Sequence, residues 1–320
     1  MKETKAAITA LLEKPTSELT LGRFAYDTIQ KQYLHIIKQE KPVLADKDPE
    51  YLHQMRVGSR RLYTALQVFE GVVQLPKAAQ LARVRSLTRV LGNLRDLDVQ
   101  IASLQDNYLP QVTQKSEQRS LIEVLDRLHQ RRKKAFAETK EVLTASRYLD
   151  LKKAYESWLA QPTCTLIANL PLLLVLPDLL SPLLSELLLH PGWLIPVNEL
   201  SPDNVHTLHD LRKACKHARY QTDFFLPFYG EDFKTWMKEV KTLQENLGQL
   251  QDTEVLRLLL QELAPPDCKM KDLNHMIQQQ RHQALENWET VRQKYLDAKY
   301  RDYLRHLLLT LQAPPAPQST

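Results

Sequence analysis

The chain has 320 residues, enough for two packing units, and its 43 Lys and Arg against 38 Asp and Glu give a formal net charge of +5. Glycine supplies only 7 residues, about 2% of the chain against roughly 7% in average proteins, and leucine-rich stretches predict an almost wholly helical fold. The three cysteines show no paired spacing, which argues against a disulfide framework and favours reduced thiols in a cytosol.

Ten helices are predicted from apolar periodicity, and the prolines between them mark their ends. Pro42, Pro76 and Pro110 are examples of prolines that we expect in the gaps. In chain order, the predicted helices cover residues 20–41, 50–72, 77–106, 116–141, 145–160, 172–189, 203–227, 231–263, 269–297 and 298–312.

The predicted organisation has two helical halves. Residues 20–160 form the first half and residues 161–312 the second. Residues 1–19 are expected to be an N-terminal extension, and the proline-rich residues 313–320 a disordered tail.

One stretch, Leu166–Leu189, is apolar enough to raise the question of a membrane span. Pro171, Pro177 and Pro182 interrupt it, and its uninterrupted apolar run falls short of the roughly 20 residues that a spanning helix needs. The first residues also lack the apolar stretch of a secretory signal peptide. We therefore expect no membrane association and a cytoplasmic location.

An internal repeat joins the two halves. His53-Gln-Met-Arg56 recurs as His209-Asp-Leu-Arg212, and a Leu-Gly box with an aspartate four residues after its glycine recurs at Leu91 and Leu247. Both pairs are 156 residues apart. Because two separated elements keep one spacing, the chain is a duplicated unit, and what its copies share is a histidine followed by cations.

The repeated cations fall on one stripe of each motif helix. At about 100° per residue, His53, Arg56 and Arg60 lie beside the apolar stripe that faces the core. In the second copy, the same angles are taken by His209, Arg212 and Lys216. Lys213 lies just beside that stripe, and Arg219 lies between it and the core.

The Leu-Gly helices carry a second polar face. Arg85, Arg89, Gly92 and Asp96 share one side of the helix, as do Lys241, Glu245, Gly248 and Asp252 in the second copy. Glycine inside a helix costs about 1 kcal/mol relative to alanine, which is tolerable where a neighbouring helix or a ligand must approach the backbone.

Charge is uneven along the chain. Residues 1–160 hold 27 Lys and Arg against 19 Asp and Glu, whereas residues 161–320 hold 16 against 19. Between residues 53 and 95 there are eight cations and a single anion, Glu70. A solvated helix face usually mixes both signs, so this window is not ordinary surface.

The paired His-x-x-Arg helices and paired Leu-Gly-x-x-x-Asp boxes resemble the CHAD domain, the conserved histidine α-helical domain. The resemblance covers residues 20–312. It implies two pseudo-symmetric antiparallel four-helix bundles with a basic central groove, binding of inorganic polyphosphate, and in some members a location at polyphosphate granules. The implied polyphosphate-binding residues are His53, Arg56, Arg60, Arg61, Arg85, Arg89, His209, Arg212, Lys213, Lys216, Arg219 and Lys241, with Lys31 and Lys38 as further candidates.

Other classes stay open at this stage. A nucleic-acid-binding helical protein would be basic too, but single-strand readers need aromatic stacking platforms, and aromatic residues near the cations are few. A metal-dependent polyphosphatase would want a carboxylate cluster on the histidine stripe, and none is seen there. The two histidines have a plainer reading as structural groups that hydrogen-bond across the bundle. We expect a non-enzymatic protein without a metal site or a cofactor.

Overall fold

A computed structural model describes residues 19–199, 201–265 and 269–312. The predicted extension up to residue 18 and the predicted tail, residues 313–320, lie outside the described residues, and so does Cys268. The described residues are helical, and their only extended pairings are three isolated β-bridges. The prediction of an all-helical protein is therefore confirmed for this part of the chain.

The α-helices follow the predicted order, with short 3-10 turns and one π-helical turn between some of them. They are α1 (Leu21–Leu44), α2 (Pro49–Val68), α3 (Leu81–Ala102), α4 (Lys115–Thr144), α5 (Ser146–Ala160), α6 (Leu172–Leu188), α7 (Pro202–Thr222), α8 (Glu231–Leu263), α9 (Lys271–Leu285), α10 (Trp288–Leu296) and α11 (Ala298–Leu309).

Several boundaries differ from those predicted; for example, α2 ends at Val68 and not at residue 72, and α7 ends at Thr222 and not at residue 227. Helix α1 continues through Pro42, because a proline removes only one backbone hydrogen bond there. Two contacts stabilise the last turn: Val43 is buried, and the N–H of Ala45 donates to the carbonyl of Lys41. The segment predicted as 77–106 starts its α-helix only at Leu81 and ends in a π-helical turn. The segment predicted as 269–297 is divided into α9 and α10.

The same order of neighbours occurs in both halves. Helix α1 packs on α2, α2 on α3, and α3 on α4; in the second half α6 packs on α7, α7 on α8, and α8 on α9. Short connections between successive elements account for this order, since they leave each helix beside the one before it.

Equivalent backbone contacts close each half. An isolated β-bridge joins Val73 to Cys164, and another joins Tyr229 to Leu311. Val73 and Tyr229 are 156 residues apart, the spacing of the repeat. The segment after α2 is thus tied to the one after α5 in the same way that the segment after α7 is tied to the one after α11.

One apolar core passes from the first half into the second. At its centre Phe24 stacks on Phe225 with ring centroids 5.3 Å apart, and Phe69 meets Phe225 edge-on at 6.2 Å. Phe69 and Phe225 are equivalent positions of the repeat, and both are fully buried. Truncating such a phenylalanine to alanine typically costs about 3–5 kcal/mol, so this cluster contributes strongly to holding the halves together.

A second, smaller core lies where the tips of the α3–α4 and α8–α9 hairpins meet. Leu104 and Tyr108 from the first half pack in it with Leu256 and Leu259 from the second. The buried carboxylate of Glu117 accepts hydrogen bonds from the first backbone N–H groups of α9. Carboxylates are favoured at helix N-termini, so this contact ties the two tips. The halves therefore touch at the centre and at the tips.

Helix α6 is the most apolar element. With the short turn that follows, Leu172–Leu194 spans 23 residues at a mean hydropathy of 1.9, so length and composition by themselves permit a membrane span, contrary to the length argument from the sequence. Pro177 and Pro182 lie within the helix, and its buried face, including Leu176 and Leu187, belongs to the main core. The expectation of no membrane association stays a prediction.

Candidate functional site

The two motif helices, α2 and α7, pack against each other at the centre of the molecule. This contact brings the cationic stripes of the two repeats together. It is a consequence of the fold, because each helix presents one apolar stripe to its own half and the adjacent polar stripe toward the other half.

The glycines of the Leu-Gly boxes make room for arginines of the motif helices. A Cβ atom built on Gly92 would lie 3.5 Å from Nε of Arg56, and one built on Gly248 would lie 3.2 Å from Nε of Arg212. The close approach expected from the sequence is thus that of an arginine side chain, in equivalent positions of both halves.

A central cavity of about 390 Å³ lies between α2–α3 and α7–α8. Its cationic lining comes from Arg56 of the first half and from Arg212 and Lys216 of the second. His209 also faces it, and so do Asp96 and Asp252, one from each Leu-Gly helix. At its far end the lining includes Leu104, Tyr108, Leu256 and Leu259 of the second core, so the cavity lies between the two places where the halves touch.

Lys216 shows how closely the two stripes converge. Burial, together with the charges of Arg212, Arg60 and Arg56, lowers the pKa of its ammonium group from 10.5 to about 8, against the opposing effect of Asp252. Two of those arginines belong to the other half of the chain. Because the Coulomb interaction weakens with distance, their effect on Lys216 indicates that the cations of both repeats share one site.

Arg60 is held by an aromatic ring. Its guanidinium lies over the ring of Tyr220 at 4.1 Å from the centroid, and the guanidinium of Arg219 lies at 4.3 Å from the same centroid. Cation–π contacts of this kind contribute about 0.5–2 kcal/mol. Tyr220 therefore fixes one arginine from each half at the boundary between them.

Three of these cations have no carboxylate within 4.0 Å among the residues that the structure describes: Arg60, Arg212 and Lys216. The buried Nε atoms of Arg60 and Arg212 make no hydrogen bond to those residues either. Arg56 has only a long contact of 3.5 Å to Asp96, whose side chain is 63% exposed. A buried charge without a partner is costly, so this arrangement favours an anion from outside the chain.

The surroundings of both repeat histidines lower their pKa. Burial lowers the pKa of His53, with Arg95 as the next cause, and burial followed by Lys213 and Arg212 lowers the pKa of His209. Nδ1 of His209 is buried and has no partner among the described residues. The alternative interpretation, a structural histidine whose nitrogens hydrogen-bond across the bundle, does not hold for this nitrogen.

Several predicted residues lie outside the central cavity. Arg85 and Arg89 line a separate cavity of about 1110 Å³ between the end of α2 and the start of α3. Arg61 and Lys31 line a third cavity of about 480 Å³.

Ion pairs hold most of the remaining predicted cations. Lys213 pairs with Asp210 at 2.7 Å, and Lys241 with Glu245 at 3.6 Å. Asp223 lies 3.6 Å from Arg61 and 4.0 Å from Arg219. Lys38 is exposed on α1.

Tyr220 is the residue that sequence reasoning missed. On the helical wheel it lies about 20° from His209, on the same stripe as Arg212 and Lys216, so a signal was present. Its partnership with Arg60 was not visible, because the two residues lie 160 positions apart and meet only through the packing of α2 on α7.

Comparison with known proteins identifies the family. The CHAD domain pattern matches residues 27–261, and the chain belongs to the CHAD domain family. Its structure is similar to that of the CHAD domain from the plant Ricinus communis, at 25% identity over 93% of this chain and 95% of that one, with a TM-score of 0.61. PptA from Streptomyces chartreusis shares the fold at 16% identity, over 87% and 99% of the two chains, with a TM-score of 0.60. No protein with curated annotation matches the chain.

Proposed function

We propose that this protein binds inorganic polyphosphate without turning it over, in a basic groove built around the central cavity. The two halves are inferred to be antiparallel four-helix bundles related by a pseudo-two-fold axis, each supplying one wall. The equivalent positions of Arg56 over Gly92 and of Arg212 over Gly248 support this symmetry.

The convergence of Arg60, Arg212 and Lys216, which have no carboxylate partner among the described residues, carries the proposal. A linear polyanion with about one charge per phosphate offers regularly spaced oxygens rather than one compact charge. Arginine gives fixed, paired donors to phosphate oxygens, and lysine adds a mobile point charge. Cations three and four residues apart recur about every 5 Å along a helix, which suits a ligand that lies along it.

An anion bound in the cavity would offset the repulsion between its cations. Several positive side chains are gathered in a partly buried space, which lowers the pKa of Lys216 to about 8. A phosphate chain supplies the missing negative charge and releases its own counterions. By analogy with nucleic acids, the affinity should therefore fall steeply with salt.

Nucleic acid is the main competing ligand, and one contact weighs against it. Tyr220 is the aromatic ring closest to the cations of the α2–α7 contact, and the guanidinium groups of Arg60 and Arg219 already pack on it. A stacking base would have to displace them. If RNA displaces labelled polyphosphate at equal phosphate concentration, the nucleic-acid interpretation replaces ours.

Two double substitutions test the proposal. We expect Arg56→Ala with Arg60→Ala, and Arg212→Ala with Lys216→Ala, each to weaken polyphosphate binding by tens-fold, which is about 2 kcal/mol or more. The matched control is Arg23→Ala with Lys234→Ala, which removes two exposed, ion-paired cations elsewhere. Titration calorimetry at moderate salt measures all three. Unchanged affinity in both cavity variants, with retained helical circular dichroism, would reject the site.

The remaining parts of the proposal concern the cell. We infer a cytoplasmic protein that associates with polyphosphate granules, acts without a metal or a cofactor, and has no membrane partner. Incubation with long-chain polyphosphate and a divalent metal, followed by a gel of chain length, tests the absence of turnover; shortening of the chain would contradict it.

A further inference from the structure

We propose that a bound polyphosphate chain leaves the central cavity in one direction only, along the seam between α2 and α3, where Arg89 and Arg85 form an extension subsite. The second-half seam, between α7 and α8, is closed to it. This inference rests on the proposed function and adds a direction and a dependence on chain length.

The first-half seam is formed by α2 and α3, the helices that also bring Arg56 and Asp96 to the central cavity. On α2, Arg56 and Arg60 are followed after three residues by Tyr63 on the same face. On α3, Gly92 under Arg56 is followed by Arg89 and then Arg85, and Tyr63 lines one cavity with both of these arginines. From Gly92 to Arg85 the helix rises about 10 Å, so the seam carries positive charge well beyond the centre.

The arginines of this seam are free to take a ligand. Arg85 and Arg89 are both exposed, and neither has a carboxylate within 4.0 Å among the residues that the structure describes. Glu70 is the one carboxylate among the described residues that line their cavity. At about 1110 Å³ the cavity has room for several phosphates beside the two guanidinium groups.

The second-half seam has the opposite character. Lys241 stands at the position equivalent to Arg85, and Glu245 at the position equivalent to Arg89, 156 residues later in each case. Lys241 and Glu245 pair with each other at 3.6 Å, and Nε of Arg219 donates to Gln244 at 3.0 Å. The pair of cations has thus become a neutral ion pair, and a neighbouring arginine is engaged by its own half.

This difference between the seams affects the binding of a long polyanion but not of a short one. Tripolyphosphate fits within the central cavity, where Arg212 and Lys216 hold it. A longer chain has to continue somewhere, and the seam with two unpaired guanidinium groups attracts it while the seam with Glu245 repels it. Arg85 and Arg89 therefore contribute to the affinity for long chains only.

The test compares two probes, tripolyphosphate and long-chain polyphosphate, by calorimetry on the full chain. For Arg85→Ala with Arg89→Ala we expect long-chain affinity to fall roughly tenfold, and tripolyphosphate affinity to change less than about twofold. The slope of log affinity against log salt should fall by about 1.4 for the long chain, since two cations are lost. Both side chains are exposed and unpaired, so thermal unfolding should be unchanged.

A gain-of-function variant provides the converse. Glu245→Arg gives the second seam two cations, as in the first, and frees Lys241, so we expect long-chain affinity to increase several-fold while tripolyphosphate affinity stays the same. The control here is Arg23→Ala with Arg305→Ala, which removes two exposed, ion-paired cations on α1 and α11, helices that line neither seam, and should change neither affinity.

The outcomes separate this inference from the function on which it rests. Equal losses for both probes in Arg85→Ala with Arg89→Ala, or no loss for either, would overturn the one-directional path. A third outcome would overturn it too: an organic phosphate binds through these two arginines, whereas long-chain polyphosphate binds without them. The apolar residues of the cavity, Leu66 and Val73, would then determine which ligand binds there. Failure of the wild-type protein to bind either probe rejects the proposed function instead.

Discussion

Lys216 offers a substitution for which binding and stability should move in opposite directions. Its ammonium group is buried beside Arg212 of its own helix and Arg60 and Arg56 of the other half. Methionine has a similar length and no charge, so Lys216→Met keeps most of the packing and removes the repulsion. We expect this variant to be more stable than the wild type and to bind polyphosphate more weakly.

The magnitude follows from the lowered pKa. The pKa of Lys216 falls from 10.5 to about 8 on folding, and each unit corresponds to about 1.4 kcal/mol, so the charged form costs the fold roughly 3 kcal/mol at neutral pH. This cost is already net of the attraction between Lys216 and Asp252. The net gain in the free energy of unfolding at pH 7 should be about 1–3 kcal/mol.

The pH dependence identifies the cause. Between pH 8 and 10.5 the unfolded chain still carries the proton on Lys216 and the folded chain does not, so the unfolded state binds more protons there. The stability contributed by this group therefore increases as the pH rises through that window. The variant lacks this titration, so the stability gap between the two proteins should close as the pH rises from 7 to 10.

Urea unfolding at several pH values measures the gap, and calorimetry with polyphosphate measures the binding. Binding near pH 8 should also take up protons in the wild type, because a bound phosphate chain favours the charged ammonium, and this uptake should be smaller in the variant. A destabilised variant, or a gap that does not change with pH, would show that Lys216 is not strained by its cationic neighbours.

Two further expectations concern the glycines and the histidines. Gly92→Ala should raise the free energy of unfolding by up to about 1 kcal/mol, because the new Cβ would lie at an ordinary contact distance of 3.5 Å from the nearest arginine atom. Gly248→Ala should raise it less and should weaken polyphosphate binding, because its Cβ would lie 3.2 Å from Arg212 and push that side chain aside. Equal behaviour of the two variants in thermal unfolding and calorimetry would contradict this. Polyphosphate affinity should increase as the pH falls below 6.5, because bound phosphate favours the charged imidazoles that burial disfavours in the free protein. Titrations at about pH 7.5 and 5.5 measure this increase, and it should be smaller in the double variant His53→Gln with His209→Gln.

Much of the fold could be predicted because its determinants are local. Apolar periodicity and prolines located the helices to within a few residues over most of the chain, as the match of Glu231–Leu263 to the predicted 231–263 shows. Pro42 was misjudged because the hydrogen bonds and burial that keep the last turn of α1 depend on tertiary packing. The π-helical turn after α3 left no periodic signal at all.

In the candidate site, too, some features could be predicted from the sequence and others could not. A helical wheel identifies which side chains share a face, and it grouped Arg56 with Arg60 and Arg212 with Lys216 from their spacing alone. It also marked Gly92 and Gly248 as places of close approach, although only the structure shows that arginines of the motif helices fill that space.

The sequence by itself therefore determined the helical class, the duplication and the set of cations available to each half. Only the tertiary structure decided which of them meet: Lys216 with Arg60 across the α2–α7 contact, and Arg85 with Arg89 in a separate cavity. The physical reason is that periodicity is a property of one helix, whereas the distance between charges on two helices depends on how their apolar stripes are buried against each other.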